Sequence, residues 1–205
     1  GAQGRSFCAG AQFTSDDDGE ARYAMTNPGP LYVEAVRIFR NKKPIVAAIH
    51  GAAVGGGLGL ALVADFRVAC AEARFVANFT KLGFHPGFGL TYTLPALIGQ
   101  SNSALMFYTS RRVKGEDALR MGLVDKLVPQ DQVRNAALSL AKEIAECSPL
   151  GLLATRATVR GDLAEQVKNA ADRELAEQMR LRQTEDFAEG VKAVSERRAA
   201  HFVSR

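Results

Sequence analysis

Residues 43–67 read KPIVAAIHGAAVGGGLGLALVADFR, and the fold turns on how they are read. Ile45 to Ile49 is a short, nearly all-apolar run closed by His50-Gly51, the pattern of a strand buried on both faces. Gly55-Gly56-Gly57 then opens a second apolar run, too long for a strand, which Asp65 and Arg67 end. The reading is buried strand, glycine turn, buried helix. Three consecutive glycines remove every Cβ from the turn, so another group can approach the backbone closely and positive φ carries no steric cost. The first N–H groups of the following helix have no partner within it, and the helix dipole places about half a positive charge there. Such a turn suits a developing anion, or it is a joint for tight helix–sheet packing; the stretch alone leaves both open.

Working outward, the N-terminal side holds Ser6-Phe7-Cys8-Ala9-Gly10-Ala11-Gln12-Phe13, a short strand running into small residues and a turn. Thr14 to Gly29 is polar and aperiodic and reads as a surface loop. Pro28 and Pro30 start a helix with Tyr32, Val36 and Phe39 on one face. On the C-terminal side, Phe66 to Ala71 and Arg74 to Ala77 are strands, and Phe75 to Gly89, rich in glycine, proline and aromatics, is a lining loop. Thr91 to Ile98, Ser101 to Tyr108 and Gly115 to Met121 are helical, and Leu123 to Val128 is a strand closed by Pro129. Residues 1–129 thus form an α/β core, and residues 130–205 a helical region with apolar stripes that need a core or a neighbouring subunit to cover them.

The 205 residues are 47% hydrophobic and 23% charged, an ordinary globular balance. The net charge of +4 is mild, its basic residues are interspersed with acidic ones, and tryptophan is absent, which argues against a nucleic-acid partner. No apolar run reaches the length of a membrane span, and no signal peptide opens the chain, so a cytoplasmic protein without a membrane partner is expected. Cys8, Cys70 and Cys147 show no CxxC spacing and imply neither a disulfide framework nor a metal site.

Phe7-Cys8-Ala9-Gly10-Ala11 and Gly51-Ala52-Ala53-Val54-Gly55-Gly56-Gly57, separated by a helix and a strand, resemble the two oxyanion-hole motifs of the crotonase (enoyl-CoA hydratase/isomerase) superfamily. The resemblance continues through Ala64-Asp65, Leu82-Gly83, Pro86-Gly87, Leu94-Pro95 to Gly99, Gly122-Leu123-Val124 and Val128-Pro129, and ends in Glu189-Gly190-Val191-Lys192-Ala193 with Glu196-Arg197-Arg198. It implies an α/β spiral of β-β-α repeats whose trailing C-terminal helices build a homotrimer or a dimer of trimers. The ligand it implies is an acyl-CoA thioester, with coenzyme A entering as part of the substrate and no separate cofactor or metal. Members carry further strands and a helix ahead of the first motif, so an upstream part is expected to be missing from this sequence.

Carried over position by position, the two oxyanion N–H donors fall on Ala11 and Gly56, with Gln12, Phe13, Gly55 and Phe79 beside the substrate. Arg197 matches a basic position that in relatives approaches coenzyme A phosphates from a neighbouring subunit; a solvated helix-end charge is the alternative. The hydratase glutamates are expected three residues after the middle glycine and four after Phe75, and here those positions are Gly59 and Phe79. His85, ahead of Pro86-Gly87, is the candidate acid/base in their place, or a loop histidine bonded to backbone. Two functions follow: an enzyme of enolate chemistry on an acyl-CoA, or a non-catalytic acyl-CoA-binding homologue. A phosphate-binding reading of the glycines lacks both GxGxxG and GxxxxGK[ST].

Overall fold

The computed structural model describes residues 4–11 and 29–205. Among the described residues, seven short strands form two sheets. The first sheet runs β1 (Ser6–Cys8), β3 (Ala52–Val54), β5 (Arg74–Val76) and β6 (Val113–Lys114) in that order, the first three parallel and β6 antiparallel to β5. The second sheet is parallel throughout, β2 (Val46–Ile49) to β4 (Phe66–Ala69) to β7 (Lys126–Leu127). From β2 to β5 consecutive strands alternate between sheets, β2 and β4 in one and β3 and β5 in the other, whereas β6 stays in the sheet of β5. The pairs β2–β3 and β4–β5 each give one strand to each sheet before a helix, the expected spiral of β-β-α repeats, and in the last turn a helix separates β6 from β7.

The structure adds one element to the reading of residues 43–67. Ala52–Val54 belong to a strand, β3, and are not part of the glycine turn. The chain makes a corner at His50-Gly51, where a side chain on Gly51 would run into the carbonyl of Arg5. Three residues carry no legible period, and β3 exists because β1 and β5 pair with it on either side. Helix α2 (Gly56–Val63) follows at once and buries Leu58, Ala61, Leu62 and Val63. Helix α1 (Gly29–Phe39) buries Tyr32, Val36 and Phe39, the face its spacing predicts.

Helix α3 (Leu90–Thr109) merges the two expected helices across Gly99, whose φ of 78° and ψ of 163° break the helical path. After α4 (Gly115–Arg120) only Lys126–Leu127 of the expected Leu123 to Val128 strand pair with a neighbour. Then come α5 (Val133–Ala145), α6 (Pro149–Arg160), α7 (Leu163–Leu181) and α8 (Glu185–Ser195). Ser148 caps α6, accepting a hydrogen bond from Gly151 N–H ahead of Pro149. None of the side chains of α6 is buried, and the helix is held to the core by charge: Arg156 and Arg160 both pair with Asp65, whose other contact is the Ile45 N–H at 2.8 Å. Asp65 thus joins the start of β2 to the helical region.

Candidate active site

In parallel sheets the carboxyl ends of the strands share one edge, where ligand-binding loops gather. Here β1, β3 and β5 are neighbours and parallel, so the chain leaving each arrives at one place. Cys8 to Ala11 leave β1, Val54 to Gly56 leave β3, and Asn78 and Phe79 follow β5; all of them line a cavity of about 750 Å³. Its other walls come from α1, α2, the end of α7, α8 and the segment Leu82 to Phe88, and are mostly apolar.

The two glycine turns touch. A side chain on Gly10, at φ 83°, would place its Cβ 2.7 Å from the Val54 carbonyl oxygen and 3.7 Å from Gly56 N. Gly57 lies against the Cys8 backbone so closely that no Cβ fits between them. Gly55 takes φ 55° and ψ −119°, conformations that glycine alone adopts without strain, and its N–H donates to Val76 O at 2.9 Å. It offers α2 no side-chain cap. Bare backbone at the first turn of α2 therefore faces bare backbone after β1, with Ala11 and Gly56 on the same cavity.

Gly59 lies one turn further along α2. A Cβ there would meet Phe88 at 2.6 Å from its Cδ1 and 2.7 Å from its Cβ. Phe88 holds φ 66°, in the left-handed region that bulky residues rarely enter. Phe79 is buried and packs edge-on against Phe84, ring centroids 5.5 Å apart. Gly59 and Phe79 are thus both enclosed by aromatic rings.

Of the other residues singled out in the sequence, Gln12 and Phe13 lie outside the described residues. His85 is not among the residues lining the cavity; its Nδ1 sits 2.8 Å from the Pro86 carbonyl oxygen. Arg197 is exposed just past α8 at φ 56°, also away from that lining. Among the described residues no cluster of three His, Cys, Asp or Glu side chains could hold a metal, and no helix is long and apolar enough to cross a membrane.

Five polar lining residues were not singled out by sequence: Tyr32, Asn78, Gln178, Arg182 and Ser195. Tyr32 was read only as part of an apolar face. The signal for Gln178 and Arg182 lay in α7 and its C-cap, where Val167 and Ala171 are followed at helical spacing by Glu174, Gln178 and Arg182, an inward stripe that turns from apolar to polar. Glu174 is fully buried and accepts from Gly89 N–H (2.7 Å), Thr91 N–H (2.8 Å) and Thr91 Oγ1 (2.6 Å), capping α3 in place of the absent side chain of Gly89. Burial pushes its carboxyl pKa up, and the bonds from Thr91 and Gly89 oppose the shift.

A two-sheet α/β spiral that brings two glycine turns together at the strand ends is the frame of a crotonase-fold protein. The chain belongs to the Enoyl-CoA hydratase/isomerase family, whose profile matches residues 1–205. It is 34% identical to a carnitinyl-CoA dehydratase of Salmonella typhi, over 97% of this chain and 77% of that one. It is 31% identical to a crotonyl-CoA hydratase of Syntrophomonas wolfei, over 100% and 79%. Among solved structures, an enoyl-CoA hydratase/isomerase from Pseudoalteromonas atlantica superposes with a TM-score of 0.78 at 30% identity, over 82% of this chain and 67% of that one.

Proposed function

We propose that this chain is an acyl-CoA enzyme that stabilises an enolate, with the N–H groups of Ala11 and Gly56 forming an oxyanion hole for the thioester carbonyl. The observation that supports this most directly is the contact of the two turns, with the Cβ position of Gly10 lying 3.7 Å from Gly56 N. A thioester oxygen gains negative charge as an enolate forms, and preorganised N–H donors at that point are worth about 2.7–4 kcal/mol each. Gly55 and Phe79 then border the acyl group, and Gln12 and Phe13 continue the substrate-contacting stretch beyond Ala11.

The proposal departs from water addition by a pair of glutamates. At Gly59 the volume where a carboxylate would stand is taken by Phe88, and Phe79 packs into an aromatic cluster. His85, with Nδ1 against the Pro86 carbonyl, is assigned no proton transfer. A homotrimer or dimer of trimers, in which Arg197 reaches coenzyme A phosphates of a neighbouring subunit, fits the exposure of Arg197 and the bare α6.

Gly56→Pro tests the oxyanion hole. Gly56 is the first residue of α2, where proline is tolerated by the helix, so the change removes the N–H and puts the ring Cδ in its place. The infrared carbonyl band of bound acyl-CoA is expected at lower frequency than in water for the native protein and near its water value for the variant, with turnover down about 10²–10³-fold. An unshifted band in the native protein would overturn the assignment. A shifted band with no turnover of any enoyl, dienoyl or β-keto thioester favours the non-catalytic acyl-CoA binder, the second reading that Gly59 and Phe79 keep open.

A further inference from the structure

Gly55 stands directly ahead of the proposed donor Gly56, and its open side faces a polar group. A Cβ built on Gly55 would lie 3.4 Å from Asn78 Oδ1 and 3.8 Å from Phe79 Cζ, and all four residues line the cavity. The carboxamide of Asn78 is therefore a neighbour of the oxyanion turn.

Backbone contacts on both sides of Asn78 hold it there. It leaves β5 two residues after Val76, whose carbonyl accepts the Gly55 N–H at 2.9 Å, so the chain leaving β3 and the chain leaving β5 are bonded to each other. After Asn78, Phe79 is buried and its carbonyl accepts from the N–H groups of Leu82 and Phe84 around the 3₁₀ turn Thr80–Leu82. Thr80 Oγ1 donates to the Phe107 carbonyl at 2.7 Å. The side chain of Asn78 takes no part in this fastening: among the described residues its amide has no hydrogen-bond partner.

A carboxamide offers two donors and an acceptor. Asn78 is half-buried in a mostly apolar lining, so solvent satisfies these groups until an acyl chain laid across them displaces it. An alkyl chain leaves the amide unpaired at a cost, whereas a chain with an oxygen in reach restores the bond. The sheet sets where that oxygen must be. β3 and β5 are neighbours, so a group leaving β5 stands about 4.8 Å from one leaving β3, and oxygens on the first and third carbons of an acyl chain span at most about that distance.

Building on the thioester reading above, we propose that Asn78 contacts the substrate, its amide donating to an oxygen on the third carbon of the acyl group, so that the preferred ligands are 3-oxoacyl thioesters. The enolate of such a ligand shares its charge between two oxygens. The thioester oxygen meets the N–H groups of Ala11 and Gly56, and the oxygen on the third carbon meets Asn78 Nδ2.

Calorimetric titration of the full chain with pentanoyl-CoA, 3-oxopentanoyl-CoA and 4-oxopentanoyl-CoA tests both the residue and the position. The native protein is expected to bind the 3-oxo thioester about ten-fold more tightly than pentanoyl-CoA, with a smaller gain for the 4-oxo thioester. Asn78→Leu brings the ratio of 3-oxo to unsubstituted ligand near one. Asn78→Asp, which keeps the shape and turns the donor arm into an acceptor, takes it below one. Equal affinities of the native protein for pentanoyl-CoA and 3-oxopentanoyl-CoA would overturn the proposal, and so would a 3-oxo preference that survives in both variants. A 4-oxo thioester bound as tightly as the 3-oxo one would overturn the assignment to the third carbon. Failure to bind any thioester would instead overturn the thioester reading on which the role of Asn78 rests.

Discussion

Gly59 and Phe88 are a matched pair. Glycine inside a helix costs about 1 kcal/mol relative to alanine, so α2 carries Gly59 at a loss that the Phe88 ring explains. Gly59→Ala alone is expected to destabilise by about 1–3 kcal/mol, the usual cost of overpacking. In a Phe88→Ala background the same change should reverse sign and stabilise by about 1 kcal/mol, as its helix propensity alone dictates. Urea denaturation of the four proteins measures the cycle, and an unchanged cost in the Phe88→Ala background would show that the ring is not what excludes the side chain. At this scale the sequence is informative where backbone chemistry is at stake. Gly55 to Gly57 and Gly10 announce themselves because only glycine fits such turns. Phe88 does not, since nothing in its neighbours discloses that its ring will cross to α2. The polar lining residues Tyr32, Gln178 and Arg182 were hidden for the same reason: they come from helices far apart in the chain, and a tyrosine on an apolar face is indistinguishable from packing until its hydroxyl is located.

Among elements, Glu189 is one of three carboxylates of α8, with Glu185 and Asp186, that tie the helix to the segment after it. Glu189 accepts from both terminal nitrogens of Arg198, at 2.8 Å for Nη2, and from His201 N–H at 2.8 Å. These bonds lower its pKa from 4.5 to about 2, the bond from Arg198 acting most strongly. Because the folded value is the depressed one, the docking is fully present above about pH 4.5 and is lost as pH falls toward 2. The His201 amide proton, followed by NMR, is expected to hold its shift until the pH approaches 2 and to move upfield there as its acceptor protonates. Glu189→Gln should abolish that titration; an unaltered midpoint in the variant would assign it to another group. Helix boundaries and faces were well marked in the sequence, because stripes such as Tyr32, Val36 and Phe39 repeat over several turns. Strand β3 was not, since three residues cannot display a period and their extended form is imposed by neighbours on both sides.

For the whole molecule, the helical region has more apolar surface than one chain covers. Leu150 and Val159 of α6 are each 80% exposed, and Leu138 of α5 and Leu119 of α4 stand about half exposed. Surfaces of this kind mark association. Sedimentation velocity is expected to give one species of three chains or of six, and a monomer at micromolar concentration would contradict the proposed assembly. The α/β class could be read from the order of strand-like and helical patterns, whereas the split into two sheets could not, because pairing partners are distant in sequence. That distance has a kinetic consequence. Ser6 must find Ala52, and Val68 must find Lys126, before either sheet is complete. Closing such long loops costs entropy ahead of any pairing gain, which places the chain among slow folders. Helices α7 and α8 help to wall the cavity, which is therefore complete only once the strands beneath it have paired and both helices have docked.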